Sequence, residues 1–342
     1  MEEIRKFKTC KIGNIHHIIG GNVNIFFIRE LIIFTICGCY CSIAKSHTSD
    51  YIAYYQQCTK AELNICSLNI DSAFIYYKKA FSIVNNPITA DLYNATICAA
   101  ILQKDSIMFE WMHSCLIKGV NISHFQNNLF VFEPYINDDR WQKTLNQRDS
   151  FTNIYISGID TNYRNALKKL NYFDQQVRNK IKPWHFLFPN SKSFRKKYAQ
   201  LNKMDSSNRL VIDSLILLRG YPCEQTIGIG NWFGCEIPIS IYHYRDSVFI
   251  FDVMFRALKE GKLSPRNYAQ KIDDFKFVNQ EESFYYILAN PTYITLENKI
   301  IVNQRRNLIG LPTLEEEEMM RSYYRKTKNP YRFYMDIPFS KR

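Results

Sequence analysis

Between Asp50 and Gly119 apolar residues recur every three or four positions, the period of a helix with one buried face. Ala53, Gln57 and Ala61 space a first helix of about fifteen residues. Asp71 to Phe81 forms a second, with Asp71 as its N-cap. Pro87 breaks the chain. Thr89 to Leu102 forms a third, with Tyr93, Ile97 and Ala100 on one face. Asp105 to Lys118 forms a fourth, carrying Phe109, Met112 and Leu116 and ending at Gly119. Small residues (Ala95, Ala99, Ala100) alternate with aromatics (Phe74, Tyr77, Phe81, Trp111), which lets neighbouring helix backbones approach closely.

The pattern then changes. Residues 120–147 are irregular, with an apolar stretch from Phe125 to Tyr135 and a short helix starting at Asp138-Asp139. A long helix is expected over Thr161 to Ile181, stopped by Lys182-Pro183. Lys192, Arg195, Lys196 and Lys197 read as a solvated helix face. Asn208 to Arg219 is amphipathic, with Leu210, Leu215, Leu217 and Leu218 apolar and Gly220 as its cap. Asp205, Arg209 and Asp213 follow at i, i+4 spacing, the pattern of an ion-paired face. Ser264-Pro265 starts another helix as N-cap and N1. Asp273 and Asp274 lie near its end, where a carboxylate opposes the macrodipole, so a specific partner is expected for them. Glu315 to Glu318 open a closing helix at its favourable end.

Ala73, Tyr77 and Ala80, followed by Pro87, have the spacing of the second helix of a tetratricopeptide repeat, and Ala80 and Cys115 stand close to one repeat apart. The 50–147 region therefore resembles tetratricopeptide repeats, which implies a groove for a protein or glycan partner. Further on comes an ordered set of signatures. These are Asp174-Gln175-x-x-Arg178, Asp205-x-x-Asn208, Gly220-x-Pro222, Gly228, His243, Gly261 with Pro265, Tyr268-Ala269-x-x-Ile272-Asp273, and Asn303-x-x-Arg306-x-x-x-Gly310-Leu311. Residues 160–315 thereby resemble domain of unknown function 6624, a bacterial family often preceded by a signal peptide and helical repeats. The resemblance implies no reaction and no cofactor. This chain also departs from the family's Gln-x-Tyr-Gly-Thr-like segment: after Asn279-Gln280 it has Phe284-Tyr285-Tyr286-Ile287, without glycine. If that loop closes a site, the departure implies lost activity.

The fold expected is mostly α. A helical-repeat-like N-terminal half (50–147) packs on a predominantly helical domain (160–320) with a few short strands. A leader (1–44) precedes them and a basic aromatic tail (321–342) follows. Residues 1–24 are basic on balance, and Leu31 to Ala44 is an apolar run of about fourteen residues, short of the roughly 20 that span a bilayer. It matches a signal-peptide core with a cut after Ala44, or a lipoprotein leader with Cys39 as the lipid anchor. Export is expected on this basis, and a buried helix of a cytoplasmic protein is the alternative.

The formal net charge of the 342 residues is +12. Lys is abundant together with Asn, Ile, Tyr and Phe, the composition that AT-rich codons give, and no nucleic-acid motif accompanies the charge, so no specific nucleic-acid partner is expected. None of the six cysteines after the leader forms Cys-x-x-Cys, which argues against zinc. In an oxidising compartment Cys98–Cys115 or Cys223–Cys235 could pair.

Candidate chemistry concentrates in 174–311. His243 could act as a general base oriented by Asp273 or Asp205, with Arg306 or Arg178 holding an anionic group and Asn208 beside them. Gly-x-Ser-x-Gly is absent. No His-x-x-x-His pair or clustered carboxylates mark a metal centre, and no cofactor is expected. The competing expectation is a buried polar network in which Asp273–Arg306 and Asp174–Arg178 pairs fix helix register. The leading expectation is a non-catalytic partner-binding or scaffold protein. The alternative is a hydrolase or transferase working through His243.

Overall fold

The computed structural model describes residues 50–187, 191–230, 239–243, 245–287, 294–327 and 330–332. Side-chain caps set the first helices. α1 (Tyr51–Cys66) begins where the Asp50 carboxylate accepts from the Ala53 amide, and α2 (Ile70–Ile83) where the Asn69 side chain accepts from Ser72. Asp71 thus lies in the first turn of α2 and is not its cap. A carboxylate is stabilising in either place, so the local pattern does not separate the two. α3 (Thr89–Ile101) is buried from Thr89 to Ala100, and α4 (Asp105–Ile117) ends at Gly119. Consecutive helices pack in order, α1 on α2, α2 on α3 and α3 on α4. Sequential packing of this kind is shared by repeats and by ordinary bundles.

Two one-turn helices, α5 (Ser123–Gln126) and α6 (Leu129–Phe132), fold Phe125 and Phe132 into the core. α7 (Asp139–Asn146) buries Trp141, and α8 (Arg148–Gly158) packs on α4. The long helices α9 (Thr161–Leu187) and α10 (Lys192–Arg219) pack on each other. After the single turn α11 (Glu224–Ile227) come a 3₁₀ turn at Ile239–His243 and a π-helical turn at Phe249–Met254 that runs into α12 (Phe255–Lys259). α13 (Pro265–Val278), α14 (Leu296–Asn307) and α15 (Leu314–Lys326) complete the order, α13 with its Ser264 cap and α15 with a Thr313–Glu316 capping box.

α1 ties the N-terminal helices to the C-terminal ones. Tyr55 donates to the Leu263 carbonyl at 3.2 Å, Gln56 to Asn307 at 2.9 Å and Thr59 to Gly310 at 3.3 Å. Two left-handed glycines make room for it. A Cβ on Gly261 (φ 70°) would overlap the Tyr51 ring, and one on Gly310 (φ 83°) would stand 2.6 Å from the Tyr55 Cβ. The described residues all belong to one compact unit.

Several expectations are corrected. No strand occurs among the described residues. Loop amides that a strand would pair are met by side chains instead, as at Asp273 below. α9 continues through Pro183 to Leu187, because a proline inside a helix removes one backbone bond and the flanking turns can carry that loss. α10 starts at Ser191, whose hydroxyl accepts from Phe194, so Asp205-Ser206-Ser207-Asn208 lies mid-helix, where the Ser206 hydroxyl bonds back to the Asn202 carbonyl. Cys98, Cys115 and Cys223 are free thiols, so neither suggested disulfide is present. The leader 1–44 with Cys39, and Cys235, lie outside the described residues. Among those residues no helix is long and apolar enough to cross a membrane.

Candidate functional site

The expected site residues fall into three networks. The first joins α13, α14 and α15. Asp273, almost fully buried, accepts from the backbone amides of Phe284 and Tyr285 at 2.8 Å each and of Ile287 at 2.7 Å. That loop is the specific partner its position at the helix end called for. The Tyr285 carbonyl then accepts from Arg306 Nη1 at 2.8 Å, and Arg306 Nε donates to the Pro312 carbonyl at 2.6 Å. Arg306 is fully buried and pairs with Glu317, which also accepts from Arg266 at 2.9 Å and from Arg321. Burial by itself would raise the Glu317 carboxyl, but the Arg306 and Arg266 charges outweigh it and hold it at about 2. Asp273 and Arg306 are thus linked through one loop residue and not by a direct ion pair.

The second network ties α9 to α10. Asp174 has no exposed side-chain surface and holds Arg178 Nε at 2.8 Å, one turn away. Arg178 then reaches across to Asp205 at 2.7 Å. Partial burial raises the Asp205 carboxyl, with Arg178 opposing the rise. Burial also pushes the neighbouring Tyr242 phenol up to about 12, and the groups it feels are Asp174, Arg178, Asn208 and Asp205. The three α9–α10 site candidates, Arg178, Asp205 and Asn208, therefore stand in one patch with Asp174.

The third network holds His243. Its Nε2 lies 2.6 Å from Asp213, its Nδ1 faces the Ile239 carbonyl at 3.4 Å, and its ring stacks on Phe249 at 3.6 Å. The partner is Asp213, not Asp273 or Asp205. Asp213 in turn meets Arg209 at 3.7 Å, and Arg209 pairs with Asp246. His243 shares no hydrogen bond or ion pair with Asp273, Arg306, Arg178 or Asp205 among those described. Both ring nitrogens face oxygen acceptors, which leaves neither open toward a substrate proton.

No family model, curated protein or solved structure matches the chain.

A fourth polar centre escaped the reading from sequence. Tyr54 on α1 donates to Asp91 on α3 at 2.7 Å and accepts from the Ile88 amide at 2.9 Å. Asp91 is buried, and its second oxygen, Oδ1, has no hydrogen-bond partner. Glu62 stands beside it. Burial, with Tyr54 and Cys58 opposing and Glu224 reinforcing, pushes the Asp91 carboxyl up to about 7. Burial and then Asp91 push Glu62 well above the ordinary carboxylate range. A cavity of about 50 Å³ opens between them, lined also by Cys58, Arg266, Gly310 and Glu317. It has room for one or two waters, far below the few hundred Å³ of a substrate pocket. Close by, Glu224 accepts from the Thr89 amide and from Lys118, capping α3 from the start of α11 where Ile88 has no polar side chain to do so. A sequence signal did exist. Glu62 falls on the stripe Cys58, Glu62, Ile65, and Asp91 on a helix otherwise built for burial.

Proposed function

We propose that this chain is a non-catalytic scaffold that binds a protein partner along α10. The observation that carries this reading is the inverted polarity of that helix. Asp205, Asn208, Arg209 and Asp213 turn toward α9 and the 239–246 segment together with the buried Leu201 and Ile212. Of the four apolar positions expected on this helix, Leu210, Leu217 and Leu218 stand 68%, 87% and 79% exposed, and Leu215 is half-buried against the core. The cause is geometric. At 100° per residue the four charged and amide positions share one side, and their ion pairs choose the inward face. Val211 extends the outward seam, and Tyr172 and Phe173 on α9 are exposed as well. Several large apolar side chains left exposed on one helix mark a protein-interaction surface.

The test is a photo-crosslinking amino acid placed at Leu217 in the living cell. A discrete adduct at 217, absent from the exposed control position Glu110, supports the reading. Equal labelling at both positions refutes it. The reading includes export through residues 1–44, for which mass spectrometry is expected to find a mature N-terminus at Lys45 or a lipidated Cys39. An intact Met1 in the cytoplasmic fraction speaks against it. The likeness of 160–315 to domain of unknown function 6624 enters without an activity.

A second reading is hydrolase or transferase chemistry on His243. It draws on the 2.6 Å contact with Asp213, the geometry of a base and its orienting carboxylate. The carbonyl facing Nδ1 counts against it.

A further inference from the structure

The tail does more than pack. Asn94 on α3 is fully buried, and both atoms of its amide are engaged by one residue 238 positions away. Asn94 Nδ2 donates to the Arg332 carbonyl at 3.0 Å, and Asn94 Oδ1 accepts from the Arg332 amide at 2.7 Å. A carboxamide that closes both bonds on the amide and the carbonyl of one residue reads backbone and not side chain, so it grips a chain that presents both groups on the same side. Side-chain selectivity comes from either side of the clamp. Tyr331 is buried in the core with its hydroxyl beside the Cys98 thiol, one helical turn from Asn94, and with Tyr323 nearby. Arg332 lies close enough to Tyr93 and His124 for both to feel its charge.

A helix that wanted only to bury its face would carry an alanine at 94, as it does at 95, 99 and 100. A buried amide there is costly unless a backbone partner is present. The segment that supplies it, Pro330 to Arg332, is non-helical and follows the end of α15 by a few residues.

We propose that the Asn94 face of α3 is a peptide-binding site that the chain's own Pro330–Arg332 segment occupies in cis, and that its ligand in trans is an extended segment of a partner protein carrying a tyrosine followed by a basic residue. The tail is an intramolecular competitor, favoured by tethering, and the partner must displace it. The site is separate from the α10 seam and stands whether or not that surface binds a partner.

The test uses the full chain and a fluorescein-labelled peptide of residues 328–334, read by anisotropy. Wild type, with its site filled, is expected to bind weakly. Tyr331→Ala, whose own tail cannot seat, is expected to bind at least tenfold more tightly. Adding Asn94→Ala to that variant is expected to remove the gain. A folded Tyr331→Ala chain that does not bind the peptide overturns the proposal, as does binding indifferent to Asn94. Should Tyr331→Ala fail to fold, amide exchange on wild type decides. The Arg332 amide is expected to exchange faster than the α3 amides, as a segment that opens by itself must. Exchange at the α3 rate makes the tail a fixed part of the core and overturns the proposal. A wild-type dimer dissociated by the peptide would assign the site to a second copy's tail and overturn the partner-protein assignment.

Discussion

Replacing Asp91 with asparagine is expected to stabilise the protein, and more so as pH rises. Asp91 is buried between Tyr54, Cys58, Glu62 and Glu224, with its Oδ1 unpartnered. Its carboxyl is pushed from an ordinary 3.8 up to about 7, chiefly by burial. The folded chain therefore keeps a proton that the unfolded chain releases. Stability is fullest below the unfolded value, falls as pH rises from about 4 to about 7, and levels off above. At about 1.4 kcal/mol per pH interval the loss approaches about 4 kcal/mol. The water-sized cavity beside the pair can hydrate the charge, so about 1–3 kcal/mol is the working expectation. Asparagine keeps an oxygen for the Tyr54 hydroxyl and offers an amide toward Glu62. Urea unfolding followed by tryptophan fluorescence at pH 5 and pH 8 measures it. Asp91→Asn is expected to match wild type within about 1 kcal/mol at pH 5 and to exceed it at pH 8. A variant less stable at pH 8, or a difference that does not change with pH, refutes the burial argument.

Gly310→Ala is expected to lower stability by about 3 kcal/mol, because φ 83° is strained for alanine and its Cβ meets the Tyr55 Cβ. Urea unfolding measures the loss, and a loss below about 0.5 kcal/mol contradicts the tight seat of α1 on that turn. Reductant is expected to leave the Tm unchanged, since Cys58, Cys66, Cys98, Cys115 and Cys223 are free thiols. A drop of several degrees in a differential scan would reveal a disulfide.

The helical faces of the first half were legible because burial there follows a simple period. Ala73, Tyr77 and Ala80 lie inward on α2 as the 3.6-residue rule requires, whereas of Ala53, Gln57 and Ala61 on α1 only Ala61 is buried, because the bulky Tyr54, Cys58 and Ile65 take the inward face. The start of α10 was not legible. Asp205-Ser206-Ser207-Asn208 is made of N-cap residue types, yet the true cap is Ser191, and residue type alone cannot say which cap is used. Which face of α10 turns inward was not legible for a related reason. Periodicity finds two faces, and the choice between them depends on Arg178 and Asp246, which come from other elements. Of the site residues, the i, i+4 pair Asp174–Arg178 was visible locally, whereas Asp213 as the partner of His243 was not. A pairing across 30 positions leaves no trace in a local pattern. Glu317 shows the same limit. Its place at a helix start explained it well enough, while its structural role is to gather Arg266, Arg306 and Arg321.

The central claim is that the polar residues of 174–311 form separate supports of the fold and not one reacting group. Double-mutant cycles on Asp273→Asn, Arg306→Met and His243→Phe, each measured as an unfolding free energy, test it most directly. Asp273 and Arg306 share Tyr285, so their coupling is expected to reach about 1 kcal/mol or more. His243 is expected to couple to either by less than about 0.5 kcal/mol. Coupling of His243 to Asp273 or Arg306 as large as that between those two would place all three in one site and contradict the account.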